Sequence, residues 1–475
     1  MSILRIEYKW RIFLVTALAN LTSAFALNSL NLALPVIAEE FGTSMGTVSW
    51  LSLVYSFIPS CTLLIFGRMA DLYGYKKQFV GGFTVFGLGS FLLPLLANTL
   101  PSLIFFRCVQ AVGYGMMISI TQAMCNRSFP SNERGKALGV NSVFVSVGLA
   151  AGPTIGGILM THFSWRAIFY FNVPLCILGI VASLLILKSD PVDKTRDRRM
   201  DWAGSAWFAL CIGTLAVAIN FSDDWGFWSL PFLSCLGISL VSLIAFILRE
   251  NRTAMPLMHL NLFKSRTFTL ANCASVLSYM SQQMNTFLVP FFLMNILRMT
   301  KSDSGFVMLA TPLAMMLLSP AGGHMADKYG SRRPAVIGLS LIILGCTLMS
   351  LLQQSSTIYH VIAALILFGI GNGLSVSAIN TSIFSAVPKE RSGVASGMVA
   401  TMRNLGQGLG VAFGGAIIAL REKEYLAALS AGMEKEAYLL AQRDAFFFGI
   451  CIVVLALFCM LLTPAKTKVR GGLRS

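Results

Sequence analysis

Fourteen stretches of this chain are apolar over about 20 residues each, the length an α-helix needs to cross the hydrocarbon core of a bilayer. They fall at 12–36, 46–66, 78–98, 102–124, 137–160, 166–187, 201–220, 229–248, 268–294, 304–323, 334–352, 359–385, 394–420 and 444–463. Composition agrees: of 475 residues, 56% are hydrophobic and 12% charged. A soluble chain carries about 25% charge, so this one lacks the polar groups to cover its own surface. A soluble enzyme, a disordered scaffold and a disulfide-rich secreted domain are excluded, and an all-α polytopic membrane protein is predicted. Trp10-Arg11 opens a run too long for a signal peptide and without a small-residue cleavage site, so it reads as the first span. The ten Cys stand singly in apolar runs, as packing thiols do. No metal or cofactor is expected.

Charge fixes the topology. Lys and Arg number 36 against 20 Asp and Glu, an excess that in a soluble protein would suggest nucleic acid. Here it clusters between apolar runs, and nucleic acid is not an expected partner. With both termini in the cytoplasm, the cytoplasmic segments hold 27 of the 36 basic residues, the external ones 7, and Arg107 and Arg403 lie within spans. That bias follows the positive-inside rule, and a missed or invented span would spoil it.

The chain also repeats itself. GRMADLYGYKK at 67–77 returns as GHMADKYGSRR at 323–333, 256 residues later, and PSNERG at 130–135 is echoed by PKERSG at 388–393. The expected organisation is a six-helix bundle over 1–190, two additional helices with their loops over 191–252, and a second six-helix bundle over 253–475. Duplicated halves with a substrate site between them are a recurrent transporter design.

These motifs resemble those of the major facilitator superfamily, and of its fourteen-span drug:proton antiporter branch in particular, along the whole chain. The resemblance rests on the 67–77 segment, on RCVQAVGYG at 107–115, on GLAAGPTIGG at 148–157 and on WRAIFYFNVP at 165–174. It implies the major facilitator fold with fourteen transmembrane helices, a location in the plasma membrane, and export of small amphiphilic compounds by proton antiport, as a monomer.

Each motif also has a physical reading. Gly67 and Gly74 permit a tight turn and close helix approach. Asp71, and Asp327 in the second half, can meet the N-terminus of a neighbouring helix and latch the halves in an outward-facing state. Lys76 and Lys77 read equally as latch or as topology charges. A basic residue is common in the family where Leu72 stands, so one latch partner is missing or weakened. Gly148, Gly152 and Gly156 give one smooth helix face, with Pro153 bending the helix and Gly157 completing the motif. In the family this pattern accompanies antiporters.

Arg107 lies inside an apolar helix, where a charge is costly unless it is paired, faces water or snorkels to the interface. A cavity-facing role in coupling or substrate binding is expected, with Gln110 one turn along the same face. Other polar groups at membrane depth are Asn28, Asn31, Gln122, Asn141, Gln282, Gln283, Asn285, Asn380, Arg403, Asn404 and Gln407. They read either as helix–helix hydrogen bonds or as cavity lining. Where the branch carries an acidic residue in span 1, Ala26 stands, and no Asp or Glu lies clearly near a midplane. Coupling then runs through edge acids such as Asp71, or the substrate is a weak acid carrying its own proton, or transport is uncoupled.

Other functions fit less well. There is no phosphate-binding G-x-x-x-x-G-K-[ST] loop for an ATP-driven pump, and no nucleophile–base pair at membrane depth for an enzyme. Paired halves argue for rocking rather than a fixed pore. The alternative within the transporters is a dedicated carrier of one anionic or neutral metabolite.

Overall fold

The computed structural model describes residues 7–43, 48, 50–130, 133–188, 200–221, 225–226, 229–253, 260–299, 301–388, 392–428 and 433–464. A helix stands at each of the fourteen apolar runs. The N-terminal six are α1 (Tyr8–Glu40), α2 (Trp50–Tyr73), α3 (Tyr75–Leu96), α4 (Leu100–Ser128), α5 (Arg134–His162) and α6 (Arg166–Ile186). Two more follow, α7 (Trp202–Asn220) and α8 (Leu230–Arg252). The last six are α9 (Arg266–Phe291), α10 (Lys301–Met308 and Ala310–Tyr329, broken at Leu309), α11 (Arg332–Ser350), α12 (Ile358–Ser385), α13 (Ser392–Ala428) and α14 (Glu434–Leu462). Among the described residues, eleven of these are long and apolar enough to cross a membrane.

Helix ends follow their local chemistry. Thr99 and Ser102 form a reciprocal capping box at the start of α4, with Pro101 just inside. The Asp201 carboxylate accepts from the Gly204 amide at 3.0 Å to open α7, and the Ser229 and Ser265 hydroxyls cap α8 and α9 in the same way.

The segments read as loops at 67–77 and 323–333 are helical almost throughout. Only Gly74 and the Gly330–Ser331 pair break them, Gly74 and Gly330 at φ 99° and 83°, a left-handed conformation that disfavours a side chain. Gly67 and Gly323 are therefore helix-face residues and turn nothing. Residues 421–443, between the last two apolar runs, are also mostly helix: α13 runs on to Ala428 and α14 begins at Glu434.

The two halves pack by the same rule. In the N-terminal bundle α1 lies on α5 and α6, α4 on α2 and α3, and α3 on α6. In the C-terminal bundle α9 lies on α13 and α14, α12 on α10 and α11, and α11 on α14. Between halves, α2 meets α13 and α5 meets α10, which the repeat makes equivalent contacts. The extra hairpin sits beside this seam: α7 packs on α2 and α13, and α8 packs on α7. Phe221 stacks near Trp50 (centroids 5.3 Å apart), so α7 runs antiparallel to α2. α8 consequently buries only Ser239, Ser242, Phe246 and Glu250, a narrow stripe, and turns its Leu and Ile side chains outward.

Candidate functional site

The halves meet at one end of the bundle, the end predicted to be cytoplasmic, through two contacts built from the repeated motifs. At the first, Asp71 near the end of α2 accepts hydrogen bonds from the backbone amides of Gly393 and Val394, both at 3.1 Å. These belong to the first turn of α13, whose amides have no intrahelical partner and carry the positive end of the helix dipole. At the second, Asp327 near the end of α10 accepts from the amides of Gly135 (2.8 Å) and Lys136 (3.0 Å) at the start of α5.

Glycine makes both approaches possible. A Cβ on Gly67 would run into the Gly393 backbone, and one on Gly393 into the Gly67 carbonyl. Gly323 and Gly135 face each other in the same way. The first repeat of each half thus interlocks with the second repeat of the other. Neither Gly135 nor Gly393 was singled out as a site residue, although both recur in register in the sequence. Glu390 and Arg391 of the second repeat lie outside the described residues.

Around Asp71 the network is wider. The Tyr75 hydroxyl donates to its carboxylate, and the Arg127 guanidinium lies 4.5 Å from the Tyr75 ring centre and within electrostatic reach of Asp71. A basic side chain is therefore present although Leu72 supplies none, and it comes from α4. Below the latch, the Asn126 amide donates to Ser392 at 3.1 Å and the Asn404 amide to Ser60 at 3.0 Å, both between halves. Lys76 instead caps the end of α6 by donating to the Leu184 carbonyl at 2.8 Å, and Lys77 is exposed.

Arg107 is fully buried within the N-terminal bundle. Its Nε donates to the Leu51 carbonyl and Nη2 to the Ala26 carbonyl, each at 3.2 Å, and Nη1 donates to Gln110. The guanidinium carbon stands 3.9 Å from the Tyr55 ring centre, a cation–π contact. Gln110 passes the chain on to Ser90 at 2.6 Å. One cation thereby ties α1, α2, α3 and α4, with no carboxylate paired to it among the described residues. One of its acceptors is the peptide carbonyl of Ala26, the position at which the antiporter branch carries an acidic residue.

On the other face of α1, Gly148, Gly152 and Gly156 of α5 pack against Leu21, Ala24, Asn28 and Ser29. The Asn20 amide donates to Asn141 at 2.8 Å along the same seam. Gly157 follows on α5, half-buried, while the side chains of Asn31 and Pro153 lie outside those described.

The C-terminal polar groups gather differently. Gln282 reaches Met315 on α10, with Nε2 3.9 Å from the sulfur, and Gln283 lies half-buried beside Gly410. Asn380 and Arg403 both approach the buried Tyr279, a residue the sequence reading passed over. Arg403 and Gln407 are half-buried and show no bond to each other, so the pairing seen at Arg107 is not repeated. Asn285 is buried, its Nδ2 without a hydrogen-bond partner among the described residues; the same holds for Oδ1 of Asn380 and Oε1 of Gln122.

At the opposite end, Glu40 clamps α1 to α6, accepting from the Trp165 indole and pairing with Arg166 at 2.7 Å. Burial alone would push this carboxyl up, but those two donors outweigh it and hold it below the usual carboxylate value.

Known proteins agree with this architecture. The family model described as Major Facilitator Superfamily matches residues 16–247 and 271–474. The riboflavin transporter RibZ of Clostridioides difficile is 30% identical over 462 residues, covering 97% of this chain and 99% of the relative. The multidrug resistance protein Stp of Mycobacterium tuberculosis is 30% identical over 390 residues, 82% of this chain and 72% of the relative. Among solved structures, the human organic anion transporter MFSD10 superposes with a TM-score of 0.69 at 13% identity, covering 96% of this chain and 100% of that one. Two repeat-related bundles, motifs interlocked across their seam, and a family match along nearly the whole length lead to one conclusion: this chain is a multi-pass membrane transporter belonging to the Major Facilitator Superfamily.

Proposed function

We propose that the protein exports small amphiphilic compounds by alternating access, as a proton antiporter of the fourteen-span drug-efflux branch. The observation that carries this reading is the pair of carboxylate-to-helix contacts at Asp71 and Asp327. They join the halves at one end through a few charge-assisted bonds, each breakable without unfolding either bundle. Export is supported by the smooth α5–α1 seam and by relatives such as Stp, named for multidrug resistance. In this reading all fourteen helices span the plasma membrane with both termini in the cytoplasm, and a monomer is the working unit. Residues 1–190, 191–252 and 253–475 form its three parts. Gly67, Asp71, Gly74 and Asp327 gate the cytoplasmic side, with Lys76 and Lys77 as their basic flank, and Gly148, Gly152, Pro153, Gly156 and Gly157 shape the moving α1–α5 seam. The cavity groups are Asn28, Asn31, Asn141, Gln282, Gln283, Asn285, Asn380, Arg403 and Gln407, with Arg107 and Gln110 setting the field beneath them.

A second reading is a dedicated carrier of one anionic or neutral metabolite. It is favoured by the buried Arg107, without a carboxylate partner among the described residues, and by the full-length similarity to a riboflavin transporter. Transport into proteoliposomes under separately imposed pH gradient and membrane potential decides between them, with lipophilic cations, weak-acid amphiphiles and riboflavin as test substrates. Many amphiphiles moving with the pH gradient is the expected result. One compound moving far better than the rest would replace the efflux reading with the second.

A further inference from the structure

The α7–α8 hairpin carries a feature that no step of transport uses. At the latch end it forms an open cavity of about 490 Å³ lined by Trp207, Ala245, Leu248, Arg249, Arg252 and Thr253. The wall changes character along α8. Leu240, Val241, Leu243, Ile244, Ile247 and Leu248 are all exposed apolar side chains, and one residue later Arg249 and Arg252 close the helix. Trp207, 38% exposed, and Trp202, 65% exposed, stand near the start of the antiparallel α7, at the same level. Outward-facing tryptophans and basic residues at the end of an apolar run mark the bilayer interface.

The charges here match in number, Arg249 and Arg252 against Asp201 and Glu250, but not in position. Arg249 is spent on Asp201, which its Nε and Nη2 reach at 3.2 Å. That carboxylate also takes the Gly204 amide and the Thr253 hydroxyl. Glu250 lies on the buried face of α8, beside Gly204 and Asp201. Arg252 is exposed and has no hydrogen-bond or ion-pair partner among the described residues. Among the described residues, one guanidinium without a partner therefore stands over an opening lined by Trp207, at the end of a strip of apolar side chains.

From this geometry we propose that the cavity binds the phosphodiester headgroup of an anionic phospholipid from the adjoining leaflet. Arg252 takes the phosphate, and Trp207 packs against the glycerol region. The acyl chains lie along the exposed face of α8. The hairpin sits against α2 and α13, the two helices of the Asp71 latch, so the bound lipid braces that seam from outside. This inference rests on the membrane location alone and stands whichever substrate reading holds.

Native mass spectrometry of the full-length protein in detergent, titrated with phosphatidylglycerol and then with phosphatidylcholine, tests it. Phosphatidylglycerol should be retained in preference, and Arg252→Gln should reduce that retention about fivefold, the effect of one basic residue at a membrane surface. Arg252→Lys should keep most of it, and unchanged thermal unfolding verifies that both variants are folded. Equal retention by wild type and Arg252→Gln would overturn the proposal. So would displacement of the lipid by millimolar inorganic phosphate, since the site would then be one for a free anion.

Discussion

The two latches are cut from the same repeated sequence, yet the side chains around them differ. Each places a carboxylate on two amides of a helix N-terminus and each needs a facing pair of glycines. At Asp71 the carboxylate also receives the Tyr75 hydroxyl, with Arg127 behind it, and Asn126–Ser392 and Asn404–Ser60 add bonds across the same seam. At Asp327 the residue in the place of Tyr75 is Ser331, and the Lys136 side chain beside it is exposed to solvent. Duplication preserved the carboxylate-to-helix geometry at both contacts, while the side chains around them diverged.

Changes at the glycines should have the largest effect. Gly67→Val or Gly323→Val would push a side chain into facing backbone, and overpacking of this kind costs about 1–3 kcal/mol. With the facing backbone this close, the upper end of that range applies, and the closed latch should lose population by about a hundredfold, measured as increased labelling of cysteines introduced at this end. A variant with normal labelling would show that the helices do not need this approach.

Next come the carboxylates. Bonds to a charged group contribute about 1.5–3 kcal/mol, so Asp71→Asn and Asp327→Asn should each favour the open form by about tenfold or more. The Asp71 change should also weaken the contacts that Tyr75 and Arg127 make with that carboxylate. An unchanged open fraction in both variants would show that the carboxylates do not hold the seam. A smaller change, Tyr75→Phe, deletes one of several donors to the Asp71 carboxylate, at about 1.5 kcal/mol, and should loosen the first latch while leaving its two amide bonds in place. If Tyr75→Phe behaves as wild type, the tyrosine is packing only.

The weakest expected effect lies at the opposite end. Because its donors hold Glu40 below the usual carboxylate value, the clamp contributes fully above about pH 4.3 and fades as pH falls through the depressed value. It is partly exposed, so the contribution is small. Wild type should melt slightly above Glu40→Gln at neutral pH, and the gap should close on acidification. A gap that widens in acid would reverse the sign assigned here.

Much of this was legible in the residues themselves. Apolar run length gave every helix, because in lipid each backbone group must bond within its own segment. Register gave the duplication. What the repeats could not reveal was their partner: that GRMAD meets the Gly393 region of the other half depends on how two bundles dock. Arg107 shows the same limit. Its cost inside an apolar helix was plain from its position, but its answer, two peptide carbonyls from α1 and α2 and the face of Tyr55, comes from three helices brought together. Carbonyls leave no mark in a sequence. The full length of α13 lay beyond its apolar run for a simpler reason: charged residues end an apolar run but do not end a helix.

The central claim is that these two contacts hold the halves together at one end and must part during transport. The most direct measurement is the distance distribution between spin labels on Lys77→Cys and Tyr329→Cys, both exposed and on opposite halves, with Cys273 and Cys451 replaced. A single short distance is predicted for the resting protein, with a second, longer population in the Asp71→Asn, Asp327→Asn double variant. One unchanged distance in both proteins would contradict the account.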